Sequence, residues 1–467
     1  MSRDESATPP VAVLSRSRRA AIFAIVALAL VMSALDQTIV ATALDALQRE
    51  LSAPLTWVSW TMTIYSLGLV LMLPISGKLS EQYGRRRVFL VSASVFALSS
   101  LCCGLADNIY TLVALRFVQA LGGAGFTPSA AGIIVDHFGS SRDKALGLFA
   151  SFFSIGAMVG PIFGGLFVTY WSWRGVFFVN VPIGLVLVVL GLRFIPPDAA
   201  HDWRALGHFD LFGMALLGGG ALAVMLALNA LAAGPAAFTH AGLWLPGIAG
   251  AALLYGFGRH SARAAQPFIP VRLMVGRGFA ACNVISVVYG GMVVGLVALI
   301  PLYATSRYRI PALGAGTLLT AQGAALAVLS ICGAIALRRT GYRPPIYAGA
   351  VLGIVGLCAL AIAPHWISAY VWLAGATALV GGGEGLSAPA SRNAGVQLAP
   401  ESASTLAALR TMCFQFGSIV TIALTTAFIA ASAHPAMAHA HAYLLWALLL
   451  LLCLPVVQRV PEHHGSW

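Results

Sequence analysis

Charge is scarce in this sequence, and acid is scarcest. Only 9% of the 467 residues are Asp, Glu, Lys or Arg, and just 15 are acids. An ordinary soluble domain is about 25% charged, so a soluble multidomain protein is excluded. No G-x-x-x-x-G-K-[ST] loop occurs, which leaves ATP without an evident binding site. All seven cysteines lie within or at the edge of apolar runs, so no disulfide framework is visible. No cleavable signal is evident, because the first apolar run is long and lacks a convincing cleavage site. What is present in excess is apolar: 59% of the residues are hydrophobic and the mean hydropathy is +0.88. Apolar runs of about 20 residues, each long enough to cross a bilayer, recur along the whole chain. The expected class is an all-α polytopic membrane protein.

The formal net charge of +12 does not imply a nucleic-acid partner. Six of the 27 lysines and arginines depart from one side of the expected topology. Arg49, Arg174, Arg307 and Arg309 fall on the other side, and Arg116 and Arg410 fall within spans. That bias is what orients a membrane protein, with basic connections retained in the cytoplasm. Both termini are expected there. Residues 1–19 read as a polar cytoplasmic tail. Spans follow at roughly 20–44, 56–76, 88–106, 110–134, 145–168 and 175–195. A linker region, 196–277, opens with Pro196, Pro197, Asp198 and Asp202 and holds two more spans, at roughly 209–231 and 241–258. Its last part, Arg259 to Arg277, is basic. Six further spans lie at roughly 278–303, 313–337, 345–363, 366–386, 403–430 and 442–457, and 459–467 is a short cytoplasmic tail.

The densest charge lies in Gly77 to Phe89, GKLSEQYGRRRVF, which reads as a loop between the second and third spans. Gly77 and Gly84 allow a tight turn there. The pattern G-x-L-x-D-x-x-G-R-[KR] is matched by Gly77, Leu79, Gly84, Arg85 and Arg86, with Glu81 in place of the aspartate. In this the chain resembles the loop between helices 2 and 3 of the major facilitator superfamily. A positive-inside anchor is the plain alternative. Gly333 to Pro344, GAIALRRTGYRP, echoes this stretch when Gly341 is laid on Gly84, and Gly383-Glu384-Gly385 echoes Gly123-Ala124-Gly125. Internal repeats are how many transporters are built. The expected major facilitator fold is two six-helix halves, 20–195 and 278–458, with two inserted helices between them. Fourteen transmembrane helices so arranged resemble the drug:proton antiporter branch of that superfamily.

Asp36 stands in Leu35-Asp36-Gln37-Thr38-Ile39-Val40 in the first span. A carboxylate there costs about 2.5–3.5 kcal/mol on insertion scales, so it needs a partner or a task. Arg116 in the fourth span has the same problem. From Ala20 to Asp36 is about 24 Å of helix, and from Tyr110 to Arg116 about 9 Å. In a core of roughly 30 Å both fall in the outer half at similar depth. Protonating the acid would release the arginine. The L-D-x-T-I-V string resembles the hallmark of the fourteen-span branch. Leu112, Arg116 and Gln119 match its L-x-x-x-R-x-x-Q-G, with Ala120 for the last glycine. The resemblance assigns Asp36 and Arg116 to proton coupling. A static ion pair holding two helices is the alternative.

In the fifth span Gly156, Gly160 and Gly164 make one bare stripe, where another backbone can approach closely, and Pro161 favours a kink. With Gly165 they resemble the antiporter motif G-x-x-x-G-P-x-x-G-G of exporters. Trp171, Trp173, Arg174, Phe177, Asn180, Pro182 and Gly184 match a further family run. Trp60 and Tyr65 match its W-x(4)-Y. Gln37, Trp60, Tyr65, Gln119 and Asn180 are candidate cavity-lining residues, with packing or interfacial roles as the alternative. Glu384 departs from the family, which has small or apolar residues there. Either it is an interfacial glutamate reaching water, or it is a second acid near Arg410. Gly77, Glu81, Gly84, Arg85, Arg86 and Arg410 are the expected cytoplasmic gate. The resemblance places the loop acid near the start of the thirteenth span, where Ser402, Ser404 and Thr405 suit a helix N-terminus. His434, His439 and His441 are assigned to an external loop, with no metal site expected and no histidine inside a span.

Together these imply a proton-coupled exporter of drug-like, lipophilic or cationic small molecules in a bacterial-type inner membrane, working by alternating access. Its partners are the small-molecule substrate and the lipid bilayer, with a periplasmic adaptor protein as a further candidate. No cofactor is expected beyond the proton as coupling ion. A metabolite exporter or uniporter on the same fold is the first rival. An intramembrane enzyme is a remote one, for want of a nucleophile, base and orienter at one depth.

Overall fold

The computed structural model describes residues 15–138, 142–198, 210–264, 267, 269–276, 278–364, 367–397 and 403–462. The rest, including the tail before Ser15, Asp202, Trp366, Ser402 and residues 463–467, lie outside the described residues. Among the described residues the secondary structure is entirely helical. Six rods come first: α1 Arg16–Glu50, α2 Leu55–Tyr83, α3 Arg85–Gly104, α4 Ile109–Phe138, α5 Arg142–Tyr170 and α6 Gly175–Phe194. Then come α7 Leu211–Gly234 and α8 Ala241–Ser261. After a short helix, Val271–Val275, six more follow. These are α9 Phe279–Tyr308, α10 Ala312–Thr340, α11 Arg343–Ala361, α12 Ala369–Gln397, α13 Ala403–Ala431 and α14 Pro435–Val457. Among the described residues, twelve rods are long and apolar enough to cross a bilayer, all but α5 and α12.

The rods overrun several expected ends, because polar ends of a helix project past the apolar layer without breaking. The charged stretch expected as a loop is helical up to Tyr83 and again from Arg85, and only Gly84 interrupts it. Its φ of +100° is open to glycine at no steric cost, so one residue turns the chain. Gly341, at φ +78°, opens the two-residue break Gly341–Tyr342 between α10 and α11. The first helix starts at Arg16 rather than near residue 20, with the Ser15 hydroxyl accepting from the Arg18 N–H at its N-terminus. Pro435 opens α14, so His439 and His441 lie in that helix and not in a loop. His439 is 2% exposed and packs on the Tyr303 ring, so a histidine does stand inside a long apolar rod.

The pairing of α1–α6 recurs in α9–α14. α1 packs on α5 as α9 packs on α13, and α2 on α4 as α10 on α12. α3 packs on α4 and α6 as α11 packs on α12 and α14. The two groups meet along two seams, α2 with α13 and α5 with α10, which are themselves related by the same exchange. α7 and α8 pack on each other, and α7 also touches α2 and α13. Close approach comes from small residues, as it does where lipid offers no hydrophobic drive to helix association. Gly290 meets the Phe414 backbone, and Gly417 meets that of Val287. There α9 widens into a π-helical turn, Gly291–Leu296, against Thr421. At the end away from Gly84, the Ser59 and Thr426 hydroxyls lie 3.2 Å apart across the α2–α13 seam.

Candidate functional site

Asp36 lies on α1 and is 0% exposed, and Arg116 on α4 is 1% exposed. The guanidinium Nη1 donates to Asp36 Oδ2 at 2.7 Å. Oδ1 accepts from Gln119 Nε2 and from Asn180 Nδ2, both at 2.9 Å. Three donors from two other helices therefore surround one carboxylate, which is what a charge needs once it has left water. Arg116 is held equally fully. Its Nε donates to the Thr61 carbonyl at 3.0 Å, Nη1 also reaches Gln119 Oε1 at 2.6 Å, and the Tyr65 ring lies 4.1 Å beneath it. Gln119 Nε2 also donates to Ser100 Oγ at 2.5 Å. Thr61 and Ser100 carried no signal in the sequence, since a backbone carbonyl and a single serine have no pattern.

These contacts revise the candidate cavity lining. Tyr65, Gln119 and Asn180 are partners of the ion pair, not a free wall. Trp60 is buried and stacks on Trp57 at 4.9 Å, a packing role. Gln37 is half-buried, with Nε2 at 3.4 Å from the Ser33 carbonyl. In the family run Trp173 is buried, with Arg174 stacked 4.5 Å over it and bound to the Ala106 carbonyl at 2.8 Å. Trp171 is 80% exposed.

The glycine stripe of α5 lies directly behind Asp36. A Cβ on Gly156 would stand 2.5 Å from the Val31 carbonyl, and one on Gly160 would stand 2.9 Å from that of Leu35. Gly164 faces Ile39 and Thr42. The next residue over faces the other way: a Cβ on Gly165 would meet Leu313 Cα of α10 at 2.7 Å, and the Pro161 carbonyl lies against Gly316. One motif thus joins the helix of Asp36 to the other half of the molecule, backbone to backbone.

At the opposite, basic end the gate residues separate. Gly77 sits mid-helix near Pro128 of α4. Arg85 pairs with Asp136 at 2.6 Å and with the Gly132 carbonyl. The N–H groups of Arg86 and Arg87 donate to the two oxygens of Asp198, each at 3.0 Å, and Arg86 Nη2 reaches the Leu192 carbonyl at 2.7 Å. Asp198 thereby fills the N-terminus of α3, where a carboxylate is favoured. Glu81 is exposed on the last turn of α2. Asp136 and Asp198 went unnamed as gate residues because their partners lie far along the chain, although Asp198 was visible as an acid directly after a span. Arg410 does not join this group. It lines a small cavity with Glu384, Ser286, Tyr289, Ser387 and Ser391, formed by α9, α12 and α13. Glu384 is half-buried, with its Oε2 buried beside this cavity. Among the described residues no group of histidines, cysteines and acids could hold a metal ion.

A two-halved helical bundle with a buried acid–arginine pair and a glycine-backed seam is an architecture that membrane transporters use. The chain belongs to the Major Facilitator Superfamily, whose pattern it matches over residues 26–422. Over 403 residues it is 31% identical to a multidrug resistance protein B homolog of Mycobacterium tuberculosis (strain ATCC 25618 / H37Rv), covering 85% of this chain and 74% of that protein. It is 28% identical to multidrug resistance protein 3 of Bacillus subtilis (strain 168), covering 74% and 68%. It is 32% identical to the tetracenomycin C resistance and export protein of Streptomyces glaucescens, covering 71% and 61%. The chain therefore spans about two thirds of the length of these relatives. Its fold is that of a crystallised POT family transporter in complex with 5-aminolevulinic acid, with a TM-score of 0.69 at 13% identity and 95% of each chain covered. A bacterial homolog to the human lysosomal transporter Spinster, inward-facing and occupied, gives 0.65 at 14% identity, covering 97% of this chain and 100% of that one. The protein is a multi-pass membrane transporter.

Proposed function

We propose that this transporter exports drug-like, lipophilic or cationic small molecules in exchange for protons. The observation that carries the reading is Asp36, an acid in a long apolar helix held by Arg116, Gln119 and Asn180. Intramembrane acids of this kind mark ion pathways more often than they serve packing. A proton arriving from outside would neutralise Asp36, weaken its hold on Arg116, and change the relative stability of the two facing states. Because the α5 stripe packs against α1 on one side and α10 on the other, a change at Asp36 reaches the seam between the halves directly. The multidrug resistance and export relatives support the substrate class. The basic end, with Arg85 to Arg87 and Arg338, Arg339 and Arg343, is the cytoplasmic end, which puts both termini in the cytoplasm of a bacterial-type inner membrane. We count fourteen spans: the twelve rods that qualify by length and composition, and α5 and α12, which are 29 residues each and packed within the two halves.

The test uses inverted membrane vesicles energised to a pH gradient and ethidium as the lipophilic cation. Wild type should accumulate ethidium only with the gradient. Asp36→Asn should lose gradient-driven uptake and keep counterflow. Undiminished gradient-driven uptake by Asp36→Asn removes Asp36 from proton coupling. Ethidium uptake by wild type that ignores the gradient removes proton coupling altogether.

A further inference from the structure

The helical bundle holds a second partly enclosed acid whose surroundings differ from those of Asp36 in kind. Glu384 sits on α12 in a Gly-rich turn, where Gly381, Gly383 and Gly385 let α10 and α11 approach to backbone contact. Its carboxylate opens into the cavity formed with Ser286 and Tyr289 of α9, Ser387 and Ser391 of α12, and Arg410 of α13. Two atoms around it are buried and without a hydrogen-bond partner among the described residues: Glu384 Oε2 and Arg410 Nε. Glu384 and Arg410 line one cavity yet form no ion pair among the described residues, where Asp36 and Arg116 lie at 2.7 Å. The space among them is about that of one water molecule.

We propose that Glu384 is a second proton-carrying acid, located in the C-terminal half, with Arg410 across the cavity as its alternative partner. An ionised carboxylate oxygen facing no donor is costly in a dry site. Two events remove that cost. A proton can bind Oε2, or Arg410 can cross the cavity and pair with it. The exchange is a plain proton transfer: hydronium entering the cavity gives its proton to Oε2, an O–H bond forms, and a neutral water remains. Loss of the proton leaves a carboxylate that draws in the guanidinium of Arg410.

The charged and titratable groups around Glu384 are few. α13 supplies Arg410, with Cys413 beside it, and α9 supplies Tyr289, with Cys282 toward Arg410. α12 itself adds Arg392. α10 and α11 meet this turn of α12 through backbone, at Gln322, Leu326, Gly349 and Gly353. No second acid competes for the proton among these groups. The ligand is therefore the proton itself rather than a metal cation, which two neighbouring arginines would repel.

The inference rests on the proton-coupled reading above, but its test needs no substrate. The full chain, reconstituted in liposomes, is titrated in light and heavy water while the infrared C=O stretching band of protonated carboxyl groups is followed. Beside the band of the exposed acids, wild type should show two further titrating components. Glu384→Gln should lose one and keep the component that Asp36→Asn removes. Glu384→Asp should retain a band at shifted frequency, which separates loss of the acid from loss of the fold. Arg410→Gln should keep the Glu384 component and alter the pH at which it appears, whereas Arg410→Lys should restore the wild-type profile. A band unchanged by Glu384→Gln, or one wholly removed by Asp36→Asn, overturns the second site while leaving the exporter reading in place. Gradient-independent ethidium uptake beside an intact Glu384 component overturns the exporter's coupling and leaves the protonation site standing.

Discussion

The two halves of this transporter share a scaffold device and differ in what they do with buried charge. In each half a glycine with positive φ, Gly84 or Gly341, breaks the chain between the second and third helices. In each half an acid just after the sixth helix then fills the N-terminus of the third. Asp198 takes the Arg86 and Arg87 N–H groups, and Glu462 takes those of Tyr342 and Arg343, the first at 2.6 Å. Arg343 also reaches back to the Val460 carbonyl, as Arg86 reaches that of Leu192. The interior is where the symmetry stops. Asp36 in the first half has both oxygens partnered, whereas Glu384 in the second has one with no hydrogen-bond partner among the described residues. Geometry that holds the bundle at its basic end has been kept twice, and the intramembrane charge has been placed differently in each copy.

The largest effect that distinguishes the halves should come from the arginines. Arg116→Ala strands Asp36 in a dry site, and breaking such a pair costs about 3–5 kcal/mol. Arg410→Ala, with no ion pair to break among the described residues, should cost far less. Thermal unfolding of the two purified variants in the same detergent compares them directly, and equal losses would sink the contrast drawn here. Next in size is the α5 stripe. Gly160→Val drives a side chain into Leu35 and Thr38, an overpacking of about 1–3 kcal/mol. Gly242→Val, where a Cβ meets nothing within 4 Å, serves as its control. A Gly160 variant as stable as the Gly242 one would mean that α1 and α5 are not in close contact.

Smaller still are the two caps. Asp198→Asn and Glu462→Gln should each cost about 1 kcal/mol, the usual worth of a capping acid. If the device is shared, hydrogen exchange should quicken at the first turn of α3 in one variant and of α11 in the other. Exchange that quickens in only one of them would show that the caps are not equivalent. Least of all, Asp45→Asn removes an exposed i,i+4 pair with Arg49 and should change stability by less than about 0.5 kcal/mol. A larger loss there would mean that the exposed end of α1 carries more than its packing suggests.

Much of this was legible in the residues because membrane helices announce themselves by length and hydropathy. Each apolar run became a rod, and depth counted along two helices put Asp36 and Arg116 at one level, while only the structure shows them paired. What stayed hidden was of two kinds. Helix ends were misjudged where polar residues continue a helix beyond the apolar layer, as at Gly77 to Tyr83, or where small residues begin one, as in the stretch holding His439. Partners distant in sequence were invisible. Asp198 looked like a linker residue, and Gln119 and Asn180 looked like cavity lining until three donors were seen converging on one carboxylate. Arg410 was read both as a gate residue and as the neighbour of Glu384, and the structure sets it beside Glu384, a choice that depth along a helix could not make because it does not give the direction a side chain faces.

The contact of Gly165 with Leu313, and of Pro161 with Gly316, has a mechanical consequence. At these two points backbone lies against backbone, so the contact there works as a plain bearing rather than a gear, while farther along the same seam Thr320 Oγ1 reaches the Met158 carbonyl at 3.5 Å. Sliding or tilting one half against the other meets little interlocking at the two glycine contacts themselves. The resistance to motion must then come from elsewhere, chiefly from hydroxyl contacts such as Ser59 with Thr426 and from the apolar packing of α2 on α13. A single methyl group added at Gly165 would act as a wedge in the bearing, holding the halves apart by its own thickness.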